Sequence, residues 1–143
     1  MKFKTEQPVL PFATETVWDG GRSATGLCGE GRELSVGRES GQWLPEHLLL
    51  LAAESSLMES FLAAAREADI EVLGYVSSGH LEIPDEPDAA PRLTLKPCIV
   101  VASVEEAERA ALLSTAVAQA SMAGRLLGNR LRVGLDVRLE PSA

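Results

Sequence analysis

The feature that most constrains this chain is a long stretch, 45–68, that opens with Pro45 and then contains neither glycine nor another proline. Proline suits the first position of a helix, where its missing N–H would have no partner. Residues 48–53 are all apolar and cover every direction around a helix axis, so the first half of the helix is predicted to be buried on all sides. About 24 residues at 1.5 Å each give a rod of roughly 36 Å. This length indicates a central helix that a partner subunit covers in part.

Short strands are predicted before this helix. Asp19-Gly20-Gly21 and Gly29-Glu30-Gly31 are turn signals between short runs with strand-like composition. The pattern predicts an N-terminal antiparallel meander with strands at 12–18, 24–28 and 33–36.

The second half of the chain predicts two longer strands, a helical unit and a closing strand. Ser103 with Glu106 three residues later forms a capping box, and the helix that it opens is predicted to run to Ala120, with 121–127 as a continuation or a second short helix. Gly128 ends that helical unit. Pro97 lacks a ladder donor and predicts a bulge or an edge in its strand. The strands are predicted at 72–83, 93–102 and, from a clean alternation of apolar residues, 131–139.

Composition narrows the class of protein. The chain of 143 residues suits one domain over 1–143. Its net charge of −8 repels phosphate backbones and disfavours nucleic acid as a partner. The N-terminus shows no signal peptide, and the apolar run 48–53 is too short to cross a bilayer. We therefore expect a cytoplasmic protein without a membrane partner.

The residues raise three candidate chemistries: a serine hydrolase, a metal site and a reactive thiol. Ser55 and Ser56 lie mid-helix without a GxSxG elbow, and His47 is about 12 Å from Ser55 along the axis, which leaves only His80 as a distant base for a hydrolase. A helical serine more often bonds a backbone carbonyl. The histidines stand alone and the acidic loop 85–88 lacks calcium-loop spacing, so neither a metal nor a cofactor is predicted.

The two cysteines, Cys28 and Cys98, show no CxxC or metal spacing. Cys28 follows Arg22 in a short strand, and a nearby arginine favours the thiolate. A strand cysteine is more often a small buried hydrophobe, and the apolar neighbours of Cys98 favour burial there. Two interpretations of these cysteines therefore stay open, a reactive thiol and a buried apolar side chain.

The order of elements and several motifs together resemble the OsmC/Ohr family of peroxide-defence proteins. The resemblance spans most of the chain, from about Val17 to Leu139. It implies an α+β, OsmC-like fold with the meander, the long central helix, further strands and a C-terminal helix–strand unit, in an intertwined homodimer with sites at the interface. The motifs are 17–22 (VWDGGR), 45–50 (PEHLLL), 95–97 (LKP) and 121–129 (SMAGRLLGN).

The resemblance also implies where a redox site would lie. The family's peroxidatic cysteine comes ten residues after the Pro-Glu glutamate, here Glu46, which gives Ser56. The second family cysteine corresponds to Ser121, while Arg22 and Glu46 match the two supporting residues. Serine has no sulfenic acid chemistry, so the two-cysteine reaction is predicted to be absent. Glu46 and Ser56 would lie about 15 Å apart on one straight helix, so we expect Arg22 to reach a pocket lined by the partner's helix.

Three hypotheses follow. The first is an OsmC-like protein without peroxidase activity that binds a small hydrophobic or acidic ligand through Arg22. The second is an active thiol peroxidase in oxidative stress defence that uses Cys28 or Cys98. The third and weakest is a serine hydrolase at Ser56.

Overall fold

A computed structural model describes residues 12–29 and 31–141 of the chain. The chain divides into two compact units, Met1–His47 and Leu48–Ala143, and each is described by itself. Two predictions fall outside the described residues. One is the turn at Glu30, and the other is the absence of a signal peptide at the N-terminus. A single domain over 1–143 stays a prediction.

The first unit contains a three-stranded antiparallel sheet in the order β1-β2-β3, which confirms the predicted meander. Gly20 and Gly21 have φ of 104° and 56°, values that glycine adopts without strain, and they form the tight turn after β1. The exposed indole of Trp18 donates a hydrogen bond to the carbonyl of Gly21 across this turn, at 3.1 Å. The strands are β1 (Thr14–Gly20), β2 (Ser23–Cys28) and β3 (Glu33–Gly37).

The long helix α1 runs over Pro45–Glu67, close to the predicted bounds. Its buried residues Ala53, Leu57, Phe61 and Ala65 lie four positions apart on one face. The prediction that the first half is buried on all sides is wrong for the single chain, because the other faces of that half, among them Leu49 and Leu51, are exposed.

The second unit is built on a sheet whose central strand is β5 (Arg92–Val101). On one side β5 pairs antiparallel with β4 (Gly74–Glu82), in a register without a bulge. On the other side it pairs in parallel with β6 (Leu131–Val133) and β7 (Asp136–Leu139). The predicted final strand is thus two short strands, with Gly134 and Leu135 between them.

Pro97 lies in this central strand, so the prediction of an edge or a bulge is wrong. The carbonyls of Leu95 and Val101 accept hydrogen bonds on the β6/β7 side, from Gly134 and Glu140. Backbone groups alternate sides along a strand, so Pro97 faces the same side, between the residues that pair with β6 and those that pair with β7. The donor that Pro97 lacks therefore falls at the break between the two short strands.

Two helices precede β6. Ser103 caps α2 (Val104–Ala120) by accepting a hydrogen bond from the N–H of Glu106 at 3.2 Å, which confirms the capping box. The short helix α3 (Met122–Leu127) follows and ends at Gly128, whose φ is 55°. Within the described residues the hydrophobic core lies in this unit, and its largest buried side chains come from α1 and β5: Leu57, Phe61, Leu93, Leu95, Ile99 and Val101.

By length and composition alone, α1 could cross a membrane, although the expectation from the sequence was that no apolar run is long enough. The core helix of a soluble protein passes the same test, so this is weak evidence. Four residues of α1 are buried in the protein, along one face of the helix.

Candidate functional site

Ser56 and Ser121, far apart in sequence, meet at the start of α3. The hydroxyl of Ser56, on α1, accepts a hydrogen bond from the N–H of Ala123 at 3.2 Å. The hydroxyl of Ser121 accepts one from the N–H of Gly124 at 3.1 Å. The two serines thus hold two successive backbone donors in the first turn of α3, a turn whose N–H groups have no partners inside the helix.

Ser121 is also the joint between α2 and α3. Its side chain is 2% exposed, and its hydroxyl donates to the carbonyl of Ala118 at 3.0 Å. Its own N–H donates to the carbonyl of Val117, and its carbonyl accepts from the N–H of Arg125. Every polar group of Ser121 is therefore bonded, which is what burial of a hydroxyl requires.

Gly124 permits the sharp turn from α2 into α3. A Cβ on this residue would lie 1.9 Å from the carbonyl oxygen of Ala118, far inside van der Waals contact. From the sequence, Gly124 was predicted only to lie within a helical segment, because this close backbone approach leaves no local pattern in the sequence.

In the first unit, Glu46 forms an ion pair with Arg38, which was not predicted from the sequence. The guanidinium of Arg38 lies 3.1 Å from the Glu46 carboxylate, and this hydrogen bond lowers the pKa of Glu46. The side chain of Arg22 is exposed. Toward the other described residues, only its backbone carbonyl takes part in a hydrogen bond, accepting from the N–H of Arg38 at 3.3 Å. Among the described residues, the cation at Glu46 is thus Arg38 and not Arg22.

A second carboxylate, Glu54, lies against the core face of β4. A Cβ on Gly79 would lie 2.5 Å from its Oε1, so glycine at this position leaves room for the carboxylate. Burial raises the pKa of Glu54. Burial and the charge of Glu54 together raise the pKa of Tyr75 to about 12. The hydroxyl of Ser77, on the same face between Tyr75 and Gly79, is buried and has no hydrogen-bond partner in the described part of the chain.

No protein-family model and no curated protein matches this sequence. Solved structures do match its fold. An OsmC-like protein from Mycoplasma pneumoniae superposes with a TM-score of 0.73 at 14% identity, covering 90% of this chain and 96% of that one. An OsmC-like protein of unknown function from Vibrio cholerae gives 0.71 at 12% identity, with 90% and 96% covered. The organic hydroperoxide resistance protein OhrB of Bacillus subtilis gives 0.64 at 16% identity, with 88% and 98% covered.

The chain has an OsmC-like fold. This confirms the α+β architecture inferred from the sequence. The roles of Arg22, Glu46, Ser56 and Ser121 as counterparts of the family's site residues stay predictions.

The OsmC-like fold places neither cysteine in the apolar interior. Cys28 is exposed at the end of β2, so its interpretation as a buried strand residue is wrong. Cys98 is half-buried and alternates with the core residues Pro97 and Ile99 along β5, so it lies on the face of the sheet away from the core. Both are free thiols.

The histidine needed for a serine hydrolase is not beside Ser56. His80 is exposed on β4, while its neighbour Gly79 faces α1 through Glu54. Because successive strand residues point to opposite faces, His80 points away from α1. Within the described part of the chain, no three His, Cys, Asp or Glu residues are grouped as a metal site would require.

Proposed function

We propose that this chain is an OsmC-like protein that does not reduce hydroperoxides by the two-cysteine route. The observation that carries the proposal is the contact of Ser56 and Ser121 with successive amides of α3. Two side chains that must form a disulfide have to approach one another, and these two share one helix end. Hydroxyls at both positions leave no thiol there to be oxidised.

The two-cysteine reaction has two steps. A thiolate attacks a peroxide oxygen and breaks the O–O bond, and uptake of one proton then gives a sulfenic acid and the alcohol. A second thiol condenses with the sulfenic acid, which forms a disulfide and releases water. A serine hydroxyl has no equivalent of either step. The hydroxyls of Ser56 and Ser121 instead stabilise the start of α3.

The test is hydroperoxide consumption with dithiothreitol as the reductant. The unmodified protein is expected to consume cumene hydroperoxide no faster than buffer with reductant. The double variant Ser56→Cys/Ser121→Cys is expected to form an intramolecular disulfide on peroxide treatment and to gain turnover, while each single variant forms none between these positions. Turnover by the unmodified protein that is comparable to that of a two-cysteine enzyme would contradict the proposal.

A relocated thiol site is the second candidate, because Cys28 is exposed and so open to an oxidant. If the unmodified protein does consume the hydroperoxide, loss of that activity in Cys28→Ser or Cys98→Ser would assign it to that thiol. If each variant keeps the activity of the unmodified protein, neither thiol is the sole nucleophile.

We further propose that the protein is a cytoplasmic homodimer. Large apolar side chains are exposed on both units, among them Trp18 at 74% and Leu49 and Leu51 at 45% each, and exposed apolar surface of this kind is typical of an interface. Light scattering after size exclusion should give twice the mass of 15.2 kDa. Leu49→Glu/Leu51→Glu is expected to shift it to the monomer, and a monomeric unmodified protein would refute this part.

The ligand proposal concerns Arg22, which is exposed and makes no side-chain ion pair within the described residues. A small hydrophobic or acidic ligand is proposed to bind at the dimer interface, with Arg22 contacting an acidic group. Octanoate and octanol share one chain and differ in charge. Octanoate is expected to bind more tightly, and Arg22→Gln is expected to remove the difference; equal binding of both probes by the unmodified protein would oppose the role of Arg22.

A further inference from the structure

A cleft of about 520 Å³ lies where β4 ends, β5 begins and the chain passes from α3 into β6. The described residues that line it all belong to the second unit, and Ser56 and Ser121 are not among them. The volume falls within the roughly 300–1,000 Å³ of small-molecule sites. Any ligand of this cleft is therefore separate from the chemistry proposed above.

The charged side chains of the cleft are balanced in sign. Glu82 and Glu86 supply two negative charges, and Arg92 and Arg130 supply two positive ones, in a chain whose net charge is −8. Glu82 and Arg92 are direct cross-strand partners, yet within the described residues none of the four side chains takes part in an ion pair. Two acids and two bases thus line one cleft without a direct ion pair among the described residues.

We propose that this cleft binds a small zwitterion, an amino acid or a dipeptide. The ligand's carboxylate would bind Arg92 and Arg130, because a guanidinium offers a planar fork of donors to a carboxylate. Its ammonium group would bind Glu82 and Glu86. The two glutamates repel a simple anion, and the two arginines repel a simple cation. A zwitterion instead offers an opposite charge to both pairs of side chains.

The remaining lining suits such a ligand. Asn129 presents a carboxamide that can donate to a carboxylate or accept from an ammonium group. Pro84, Ala89 and Ala90 provide an uncharged surface against which a short aliphatic side chain can pack. None of the described residues that line the cleft is aromatic, so a small aliphatic ligand side chain is the expected preference.

The experiment is a titration of the full chain, followed by the amide resonances of Arg92, Asn129 and Arg130. L-alanyl-L-alanine is expected to give saturable shifts with a Kd on the order of 1 mM. The N-acetylated dipeptide lacks the ammonium group and the dipeptide amide lacks the carboxylate, and each is expected to bind about tenfold more weakly or worse.

Matched variants separate the two ends of the ligand. Arg130→Gln should weaken the dipeptide and leave the dipeptide amide unchanged, while Glu86→Gln should weaken the dipeptide and leave the N-acetylated form unchanged. Arg125→Gln, on the exposed surface of α3 and outside the cleft, should change neither. These binding measurements do not depend on any thiol or on Ser56, so their failure leaves the proposed function untouched.

Three results would overturn the proposal. The first is the absence of saturation up to about 50 mM dipeptide. The second is equally tight binding of the N-acetylated form, which would make the cleft a simple anion site. The third is equal loss of binding in Arg125→Gln and Arg130→Gln, which would reduce the effect to overall charge.

Discussion

Removal of the Ser121 hydroxyl should destabilise the protein by a measurable amount. In Ser121→Ala the N–H of Gly124 loses its acceptor and the carbonyl of Ala118 loses a donor, at a side chain that is 2% exposed. Loss of an N-cap costs about 0.5–2 kcal/mol, and a buried group left without a partner costs about 1–3 kcal/mol. We expect the free energy of unfolding to fall by about 2 kcal/mol.

Ser56→Ala should cost less, about 1 kcal/mol, because it removes one hydrogen bond, that from the N–H of Ala123. The double variant is expected to lose less than the sum of the two, since fraying of the first turn of α3 in either single variant already weakens the other bond. Urea unfolding at one fixed protein concentration measures all three differences, because oligomer formation makes stability depend on concentration.

Ser55→Ala is the matched control, since Ser55 neighbours Ser56 on α1 and its hydroxyl makes no hydrogen bond among the described residues. Its effect should stay within about 0.5 kcal/mol, the scale of helix propensity differences. If Ser121→Ala and Ser55→Ala have the same stability, the hydroxyl of Ser121 does not cap α3 and the argument is refuted.

Further predictions concern Gly124, Glu54 and Arg38. Gly124→Ala should lower the melting temperature strongly or prevent folding, because its Cβ would collide with a backbone oxygen at 1.9 Å. Glu54→Gln should raise the melting temperature at pH 7: the folded protein binds the Glu54 proton more tightly than the unfolded chain, so stability is lost as pH rises through the raised pKa. The gain should shrink as pH falls toward the ordinary value of 4.5. Arg38→Gln should raise the pKa of Glu46, because the hydrogen bond that lowers this pKa is lost. An NMR titration of the Glu46 carboxylate measures the change.

Controls for the first two of these are available in the chain. Gly134→Ala should be tolerated, since its Cβ would meet only the Lys96 side chain at 3.9 Å. Glu59→Gln, exposed on the same helix as Glu54, should show no pH-dependent gain. A melting temperature for Gly124→Ala as high as that of Gly134→Ala, or a Glu54→Gln variant less stable than the original at pH 7, would contradict the reasoning.

Features that depend on neighbouring residues were predictable from the sequence. Pro45 marks the start of α1, and Ser103 with Glu106 marks the start of α2, because a first-turn proline and a capping box act within one helical turn. The family resemblance pointed to Ser56 and Ser121 as separate positions, and the approach of Ser56 to α3 was not predicted from the sequence.

Features that depend on distant partners were not predictable. The alternation over 131–139 is the same whether one strand or two short strands pair with β5, so the alternation does not mark the break at Gly134. The ion pair of Arg38 with Glu46 depends on how the loop after β3 turns. The burial of the first half of α1 was overestimated. An apolar pattern shows that side chains tend to be buried, but it does not show whether the same chain supplies the atoms that bury them.

The two serines at the start of α3 also make adjacent backbone amides sensitive to different motions. The N–H of Gly124 is protected by Ser121, from the same helical joint, and should exchange with deuterium when the first turn of α3 unwinds. The N–H of Ala123 is protected by Ser56, from another helix, and should also exchange whenever α1 and α3 separate, even while α3 stays wound. The exchange rates of these neighbouring amides thus report two different motions, local fraying of α3 and separation of α1 from α3.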